Sequence, residues 1–324
     1  MVRAVVLHGV RRVLVELEIR PGNGVRGRIN RAPVPRSRDL LGAVRAVVFA
    51  PEDLALVRGD PEERRRFLDT LALQRLPRYL AIRQDFDRIL RQRNTLLRSA
   101  MGRTPAGGGQ ATLEVWDRRL ADAGAEVWSE RLRIVEALRP LVAEAYQTVA
   151  GRPEQVDLAY VASVGEDLAP GTAVPTLAEV LRERLVRDRT RELERGVTLT
   201  GPHRDDLALH LAELPARSHS SQGEAWSLAL GLRLGSYRWL AGEGETPLLL
   251  LDDVFAELDR DRRRRLAEAA VEVEQVIATA AVPEDVPEEL RSTKFEVRPG
   301  AVRRLSAPAS PSDLEVEVSR ETWR

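Results

Sequence analysis

The sequence predicts an α/β fold in which a sheet is interrupted by a long helical segment. Four leucines, Leu248 to Leu251, lead directly into Asp252 and Asp253. An apolar run of this length that ends in carboxylates is typical of a buried parallel strand, whose carboxyl end is where open α/β sheets bind ligands. Between residues 79 and 141, apolar side chains instead recur every three or four positions, which indicates helices.

Composition indicates a globular protein without overall charge. The 324 residues are 43% hydrophobic and 31% charged, enough for two domains or for one domain with a large insertion. The 50 basic and 50 acidic side chains cancel, so only a local basic face would favour nucleic acid.

The residue types that are rare or missing narrow the possible chemistry. There is no cysteine and there are four histidines, which excludes thiolate metal sites and disfavours a histidine zinc site. Lys294 is the only lysine. No signal peptide and no apolar run of membrane-spanning length is present, which predicts a cytoplasmic protein.

The N-terminal region is predicted to form a small antiparallel sheet. Alternating apolar side chains in residues 13–19 indicate a half-buried strand that pairs with residues 4–7. Asn23-Gly24 is a strong hairpin signal, and residues 25–29 supply the returning strand. Residues 44–49 predict a further strand.

Helices are predicted next. Asp60 is a favoured capping residue and Pro61 a favoured first helical residue, so a helix should begin there. A second helix should end in a glycine-rich loop at residues 101–110. A third shows a break in its apolar pattern at residues 130–131, and Pro140 is expected to kink or end it. The second and third helices together predict an antiparallel helical hairpin.

Sheet sequence then returns. Residues 156–161 and the alternating leucines of residues 207–211 predict strands, with a charged helix over about residues 177–195 between them. The predicted organisation is a first part of a sheet-containing head in residues 1–75, a helical insertion in 76–195, the second half of the head in 196–299 and a flexible tail in 300–324.

Asp252 and Asp253 have two interpretations. They could be ordinary polar residues at the exit of a buried strand. Alternatively, this is a metal-binding strand of the Walker B type, in which Asp252 holds Mg²⁺ through water, since Mg²⁺ prefers hard oxygen ligands. Asp253 would then orient or deprotonate an attacking water. The strand alone does not decide between the two.

The segment Ser221-Gln-Gly-Glu224 precedes another helical stretch. It could be a capping box, in which Ser221 caps the helix and Glu224 reaches back. Alternatively, the Ser221 hydroxyl, the Gly223 backbone and the helix N-terminus could bind a γ-phosphate. Gly223 would allow the phosphate to approach the backbone closely.

Two further residues follow the acidic strand. Asp259 could cap the helix that carries residues 262–265, an arginine run that is usually a solvated face. Thr279 ends another apolar strand, where a γ-phosphate sensor often lies. In this order, the serine-glycine-glutamate helix start, the acidic strand, the Glu-Leu-Asp loop and the second strand resemble an ABC-type ATPase.

Two longer stretches narrow the resemblance. Residues 49–69, F-A-P-E-D-L-A-L-V-R-G-D-P-E-E-R-R-R-F-L-D, and residues 200–206, T-G-P-H-R-D-D, look like hallmark segments of the RecF family of bacterial DNA replication and repair proteins. With residues 221–224 and 248–259, the resemblance covers most of the chain except its tail.

The resemblance implies an α/β ABC-ATPase-like head, lobe I, interrupted by a helical lobe II. It also implies ATP and Mg²⁺ as cofactors and an ATP-dependent homodimer on duplex or gapped DNA. Each signature helix would close over the partner subunit's nucleotide. The implied role is to help recombination mediator proteins load recombinase at gaps, as part of repair and the SOS response.

The resemblance also implies roles for single residues. Asp252 would be the Mg²⁺ carboxylate and Asp253 the catalytic carboxylate. The nucleotide-site residues would be Ser221, Gly223, Glu224, Asp259 and Thr279. Arg64, Arg65, Arg66, His203 and Arg204 lie in family-like segments without an assigned role; exposed helix-face and turn positions are expected, with DNA-phosphate contact as the alternative for the arginines.

One departure limits these expectations. The 324 residues contain no G-x-x-x-x-G-K-[ST] phosphate loop. The family's first strands, this loop and its helix would precede Met1, so the N-terminal part of the head is expected to be missing, and this chain alone to bind ATP poorly and not hydrolyse it. The alternative is a non-catalytic DNA-binding or scaffold protein with a degenerate head. A metal-dependent nuclease is disfavoured, because no further acids or histidines cluster in the sequence.

Overall fold

The computed structural model describes residues 1–8, 11–20, 22, 24–35, 40, 43–100, 108–165, 167–244, 246–290 and 293–305. Its strands are β1 (Val2–His8), β2 (Arg11–Arg20), β3 (Gly24–Ile29), β4 (Ala32–Pro33), β5 (Ala46–Phe49), β6 (Val156–Val161), β7 (Asp206–Leu211), β8 (Leu214–Pro215), β9 (Leu248–Asp252), β10 (Val276–Thr279), β11 (Phe295–Arg298) and β12 (Ala301–Arg304). Its α-helices are α1 (Leu54–Arg58), α2 (Pro61–Arg75), α3 (Tyr79–Ala100), α4 (Gly108–Ala150), α5 (Val174–Arg195), α6 (Ala216–His219), α7 (Gln222–Gly242) and α8 (Arg260–Val271).

The first four strands form an antiparallel sheet in the order β1-β2-β3-β4. The predicted pairing of the first two strands and the predicted hairpin are both confirmed, with Val15 opposite Ala4 on one side and Ile29 on the other. Asn23 of the hairpin signal lies outside the described residues. Asn30 and Arg31 adopt the left-handed backbone conformation in the turn between β3 and β4.

A parallel sheet forms the centre of the head. β9 lies between β10 and β5, and both neighbours run parallel to it. Leu249 and Leu251 lie on one face of β9 and are 0% and 1% exposed, whereas Leu248 and Leu250 on the other face are only partly buried. The register pairs Phe49 with Leu251 and Thr279 with Asp252, so the carboxyl ends of the three strands meet at one edge.

The predicted helical hairpin is formed by α3 and α4. Arg93 of α3 binds Asp117 of α4 at 2.7 Å, while Phe86, about two turns earlier on α3, lies beside Gly124, about two turns later on α4. The two helices are therefore antiparallel. α4 begins at Gly108, inside the predicted glycine-rich loop, and residues 101–107 lie outside the described ranges.

One expectation for α4 is wrong, because the helix does not end at Pro140. The helix continues without interruption through residues 130–131 and through Pro140. Arg131 breaks the apolar pattern because it is buried in place of an apolar side chain: its guanidinium binds Asp69 at 2.9 Å and the Pro202 carbonyl at 2.7 Å. Near Pro140, α7 packs tightly on α4, since a Cβ on Gly235 would lie 2.8 Å from a methyl group of Val142.

A third sheet has the order β6-β7-β8, with β6 and β7 antiparallel. The predicted boundary after residue 195 therefore falls between two strands that pair with each other. α5 begins at Val174, slightly before the predicted start.

The start of α2 and the start of the predicted tail also differ from expectation. Asp60 and Pro61 occupy the predicted positions at the start of α2, but the Asp60 carboxylate binds Arg217 at 3.0 Å instead of capping the helix. The predicted flexible tail begins with β12, which pairs with β11; residues 306–324 lie outside the described ranges. No helix in the described ranges is long and apolar enough to cross a membrane.

Candidate functional site

The carboxyl end of β9 brings together three of the predicted site residues. The Thr279 hydroxyl at the end of β10 donates a hydrogen bond to Asp252 Oδ1 at 2.5 Å. The backbone N–H of Asp253 donates to the same hydroxyl at 3.1 Å and to the Thr279 carbonyl at 3.2 Å. Parallel pairing of β9 and β10 is what places Thr279 beside the two aspartates.

Asp253 has an unusual backbone. Its φ of +52° lies in the left-handed region, which costs a residue other than glycine roughly 1 kcal/mol. The two hydrogen bonds to Thr279 hold this conformation, and the side chains of the next two residues, Val254 and Phe255, are fully buried. The Asp253 carboxylate is thereby held at the surface beside Asp252.

This cluster, Asp252, Asp253 and Thr279, offers hard oxygen donors. Both carboxylates are exposed, and Asp252 Oδ2 receives no hydrogen bond from the described residues. Carboxylate and hydroxyl oxygens suit Mg²⁺, which keeps several waters and takes phosphate oxygens as further ligands. The described ranges contain no group of three acidic or histidine side chains able to enclose a metal, so the protein alone would supply only part of the coordination shell.

The N-terminus of α7 forms the capping box that the sequence allows. Ser221 Oγ accepts from the Glu224 N–H at 3.3 Å, and Glu224 Oε2 accepts from the Ser221 N–H at 2.8 Å. Glu224 also lies 3.3 Å from Arg152. The hydrogen bonds from Ser221, together with the charges of Arg152 and Arg262, hold the pKa of Glu224 below its ordinary value.

Arg262 contacts Gly223 at the same helix start. A Cβ on Gly223 would lie 2.8 Å from two guanidinium nitrogens of Arg262, so no larger residue fits there without displacing the arginine. Arg262 Nε donates to Ser227 Oγ at 3.0 Å, and the Arg262 guanidinium also binds the Asp259 carboxylate. The space above Gly223, expected to admit a phosphate, holds a guanidinium in this structure.

Asp259 caps α8, which is one of its two predicted interpretations. Its Oδ1 accepts from the Arg262 N–H at 2.9 Å. This hydrogen bond and the charge of Arg262 hold the pKa of Asp259 below its ordinary value. Arg262 therefore joins the cap of α8 to the start of α7, and we call Ser221, Gly223, Glu224, Asp259 and Arg262 the α7 cluster.

The arginine run 262–265 is not the solvated face that the sequence suggested. The Arg262 side chain is 17% exposed, Arg263 binds Asp285, and Arg265 binds the Ala150 carbonyl at 3.2 Å. Only Arg264 follows the expectation, pairing with Glu268 on the helix surface. Sequence reasoning missed Arg262 because two residues that it contacts, Gly223 and Ser227, lie on a different helix.

The structure separates the predicted site residues into two groups. No hydrogen bond or salt bridge between described residues joins Asp252, Asp253 or Thr279 to the α7 cluster. The sequence also missed a link on the other side of the sheet: Asp53, after β5, binds Arg233 of α7 at 2.5 Å.

The residues without assigned roles lie in different environments. Arg64 is buried and binds Asp206 through two hydrogen bonds of 2.7 and 2.9 Å, so it is not an exposed helix-face residue. Arg65 donates to the Asp205 carbonyl at 2.7 Å, whereas Arg66 is exposed and pairs with its own helix. Arg204 is exposed beside the Thr198 carbonyl. Burial lowers the pKa of His203 to about 4.

Comparison with known proteins finds similar sequences that cover most of this chain. No family model matches the chain. The chain is 54% identical over 311 residues to a protein of Frankia alni named DNA replication and repair protein RecF, which covers 94% of this chain and 82% of that protein. It is 51% identical over 310 residues to the protein of the same name from Streptomyces avermitilis, with the same coverage.

Solved structures agree with these relatives. The fold matches a structure described as the recombination mediator protein RecF-ATPrS in the RecFOR pathway, with a TM-score of 0.81 and 26% identity, covering 94% of this chain and 80% of that one. A RecF-ATP structure of the same pathway gives a TM-score of 0.79 at 26% identity, covering 91% of this chain and 76% of that one. The architecture is that of an ABC-type ATPase head.

Proposed function

The chain belongs to the RecF family of DNA replication and repair proteins, and we propose that it acts in repair as a nucleotide-dependent homodimer on DNA. The observation that carries this proposal is the cluster of Asp252, Asp253 and Thr279 at the end of the central parallel strand. A strand end of this kind is where α/β sheets bind ligands.

The Asp252, Asp253 and Thr279 cluster and the α7 cluster suit the two sides of a nucleotide site that is shared between two subunits. Asp252 would bind Mg²⁺, and the ion would neutralise phosphate charge when bound. Asp253, fixed by its strained backbone, would orient the attacking water and accept its proton. Thr279 would hold Asp252 in place through the 2.5 Å hydrogen bond.

The α7 cluster would serve the nucleotide of the partner subunit. Ser221 and the start of α7 present a hydroxyl and backbone N–H groups, which favour anions at a helix N-terminus. Because the two groups are not in contact within one chain, closure of a dimer across the nucleotide is a consistent way to use both. Glu224 and Asp259 would orient this surface through Arg152 and Arg262.

The partners follow from the family. The solved relatives are described as recombination mediator proteins of the RecFOR pathway. For this chain we propose binding to duplex or gapped DNA and action with recombination mediator proteins that load recombinase. We also propose the division into a head of residues 1–75 and 196–299, a helical lobe II of 76–195 and a tail of 300–324, with the β6–β7 pair joining lobe II to the head.

The proposal is tested by titrating the purified chain against labelled duplex, gapped and single-stranded DNA, with and without ATP and Mg²⁺. We expect binding to duplex and gapped DNA. The nucleotide-dependent dimer would be supported if ATP strengthens DNA binding and the Asp252→Asn substitution abolishes this effect of ATP. ATP is titrated to high concentration, because the 324 residues contain no phosphate loop and are expected to bind ATP weakly. DNA binding that ignores ATP even at the highest concentration would favour the non-catalytic DNA-binding alternative, and absence of DNA binding would overturn both.

A further inference from the structure

The antiparallel sheet β1–β4 carries an excess of positive charge. Residues 1–35 contain seven arginines and two glutamates, although the whole chain has equal numbers of basic and acidic side chains. No other charged residue lies in this segment. The first strands are therefore one place where the local basic face that the balanced composition leaves possible can form.

Strand register places most of these arginines on one face. Residues directly opposite each other in a sheet, and residues two apart on a strand, share a face. Arg3 and Arg28 lie opposite Glu16 from its two sides, and Arg26 lies opposite Glu18. Arg12 and Arg20 share that face because they are an even number of residues from Glu16 on β2. We call Arg3, Arg12, Arg20, Arg26 and Arg28 the arginine face.

The two glutamates neutralise only part of this face. Glu16 is 6% exposed and binds Arg3 at 2.9 Å, and Glu18 binds Arg20 at 2.7 Å. Arg12, Arg26 and Arg28 are exposed and form no salt bridge with the described residues. The hydrogen bond from Arg20, and then the charges of Arg20, Arg26 and Arg28, hold the pKa of Glu18 below its ordinary value.

The unpaired arginines are spaced like charges that follow a phosphate backbone. Arg26 and Arg28 are two residues apart on β3, or about 7 Å. Arg12 lies on the neighbouring strand, four residues further along the same direction by register, so the row extends over about 20 Å. Duplex DNA presents a phosphate charge about every 1.7 Å of its axis, so a row of this length meets several phosphates.

The amino-acid composition of the β1–β4 sheet favours duplex over single-stranded nucleic acid. Proteins that bind single strands stack bases on aromatic side chains. Residues 1–35 contain no phenylalanine, tyrosine or tryptophan, so the sheet offers no stacking platform. Base-edge recognition requires an element that enters a groove, whereas this is the face of a sheet with arginines standing on it.

We propose that the arginine face binds the phosphate backbone of double-stranded DNA without reading its sequence. The inference rests on the proposed function for the choice of DNA as the ligand. The binding surface is assigned from the charges and strand register of the β1–β4 sheet. Guanidinium groups pair well with phosphate, and the binding should be strongly salt-dependent because counterions are released.

The test compares two double charge reversals in the full chain. Arg26→Glu with Arg28→Glu removes the centre of the arginine face. Arg91→Glu with Arg98→Glu is the matched control, because both arginines are exposed on α3 and make only contacts within their own helix. Fluorescence anisotropy with a short labelled duplex and the corresponding single strand is measured over a range of salt concentrations, and thermal unfolding checks that each variant folds.

We expect the Arg26/Arg28 variant to bind duplex at least about tenfold more weakly at low salt, with the slope of log K against log salt reduced by about two. The control should bind as the unsubstituted chain does. Equal losses in both variants, or an unchanged slope in the first, would overturn the assignment while leaving DNA binding intact. Failure of the unsubstituted chain to bind duplex would overturn the proposed function as well. Stronger binding to phosphatidylserine vesicles than to duplex would assign the face to a membrane instead.

Discussion

Arg262 and Gly223 are in direct contact, with the guanidinium occupying the place where any Cβ at position 223 would stand. Gly223 is on α7 and Arg262 is on α8, so the contact joins two helices at the predicted nucleotide-site residues. A larger residue at position 223 would therefore have to displace a side chain of the same chain, whatever ligand approaches. The arginine is a positioning group for both Ser227 and Asp259.

This contact predicts non-additive stability. Gly223→Ala should lower the free energy of unfolding by about 1 kcal/mol, because the methyl group displaces Arg262 from its hydrogen bond with Ser227. In an Arg262→Ala background the same change should be neutral or stabilising, since alanine is favoured over glycine in helices by up to about 1 kcal/mol. Urea unfolding of the four proteins measures the coupling.

The control for this cycle is Gly242→Ala at the end of α7, where a Cβ would meet no atom within 4 Å. It should not be destabilising. Additive effects of the two substitutions at 223 and 262 would show that the contact carries no energy.

Arg93 is predicted to be essential for folding of the helical region. Its side chain is fully buried and binds Asp117 at 2.7 Å and Glu192 at 2.6 Å. Arg93→Met leaves the buried Glu192 carboxylate without a counter-charge, while Asp117 keeps Arg189 at 2.7 Å. The loss should cost about 3–5 kcal/mol in urea unfolding. Arg91→Met, at an exposed position on the same helix, should change stability by less than about 0.5 kcal/mol.

The deficit of Arg93→Met should depend on pH. Burial already raises the pKa of Glu192, and loss of Arg93 raises it further. A carboxyl group with a raised pKa in the folded state binds more protons there than in the unfolded state. The destabilisation that it causes therefore becomes smaller as the pH falls. The difference from the unsubstituted chain should narrow as the pH falls from neutral towards the ordinary pKa of glutamate. A constant difference would contradict this origin of the effect.

His203 predicts a second pH dependence of opposite sign. Burial lowers its pKa to about 4, so the folded state resists protonation while the unfolded state does not. Its stabilising contribution is complete above the ordinary pKa of about 6.5 and is lost as the pH falls towards about 4, by at most about 3 kcal/mol.

His203→Gln should remove this dependence, because glutamine keeps a donor for the Thr198 carbonyl and does not titrate. Unfolding free energies of both proteins across this pH window give the difference. His219→Gln, at an exposed position, is the control and should keep the original profile. Parallel profiles for the unsubstituted chain and His203→Gln would exclude His203 as the source.

Nucleotide chemistry provides the last prediction. A protein that consists of these 324 residues should bind ATP weakly and show no saturable turnover, because the sequence contains no phosphate loop to hold the β- and γ-phosphates. Equilibrium dialysis and phosphate release measure the two quantities. Turnover that Asp253→Asn abolishes would contradict the prediction and would identify Asp253 as the catalytic carboxylate.

Local patterns predicted most of the elements well. The strand at 156–161 and the hairpin of the first sheet match because alternation and turn residues act within a few residues of one another. α4 was predicted less well, since Pro140 does not end it. Arg131 interrupts its apolar pattern but is neutralised by Asp69, a partner distant in sequence, so the helix does not break there.

In the candidate site, too, the contacts between residues close in sequence were predicted and those between distant residues were not. The capping box of Ser221 and Glu224 and the cap at Asp259 were both among the sequence-based interpretations, because each involves residues three apart. The pairing of Thr279 with Asp252 depends on the register of two parallel strands, which no local pattern sets.

By itself, therefore, the sequence determined the order of the elements, the acidic end of β9 and the resemblance to RecF proteins, since these depend on short segments and their succession. Only the tertiary structure decided that Arg262 fills the space above Gly223, that Arg64 and Arg131 are buried ion-pair partners, and that five arginines share one face of the first sheet. Those facts depend on helix packing and strand register, which bring together charges that lie far apart along the chain.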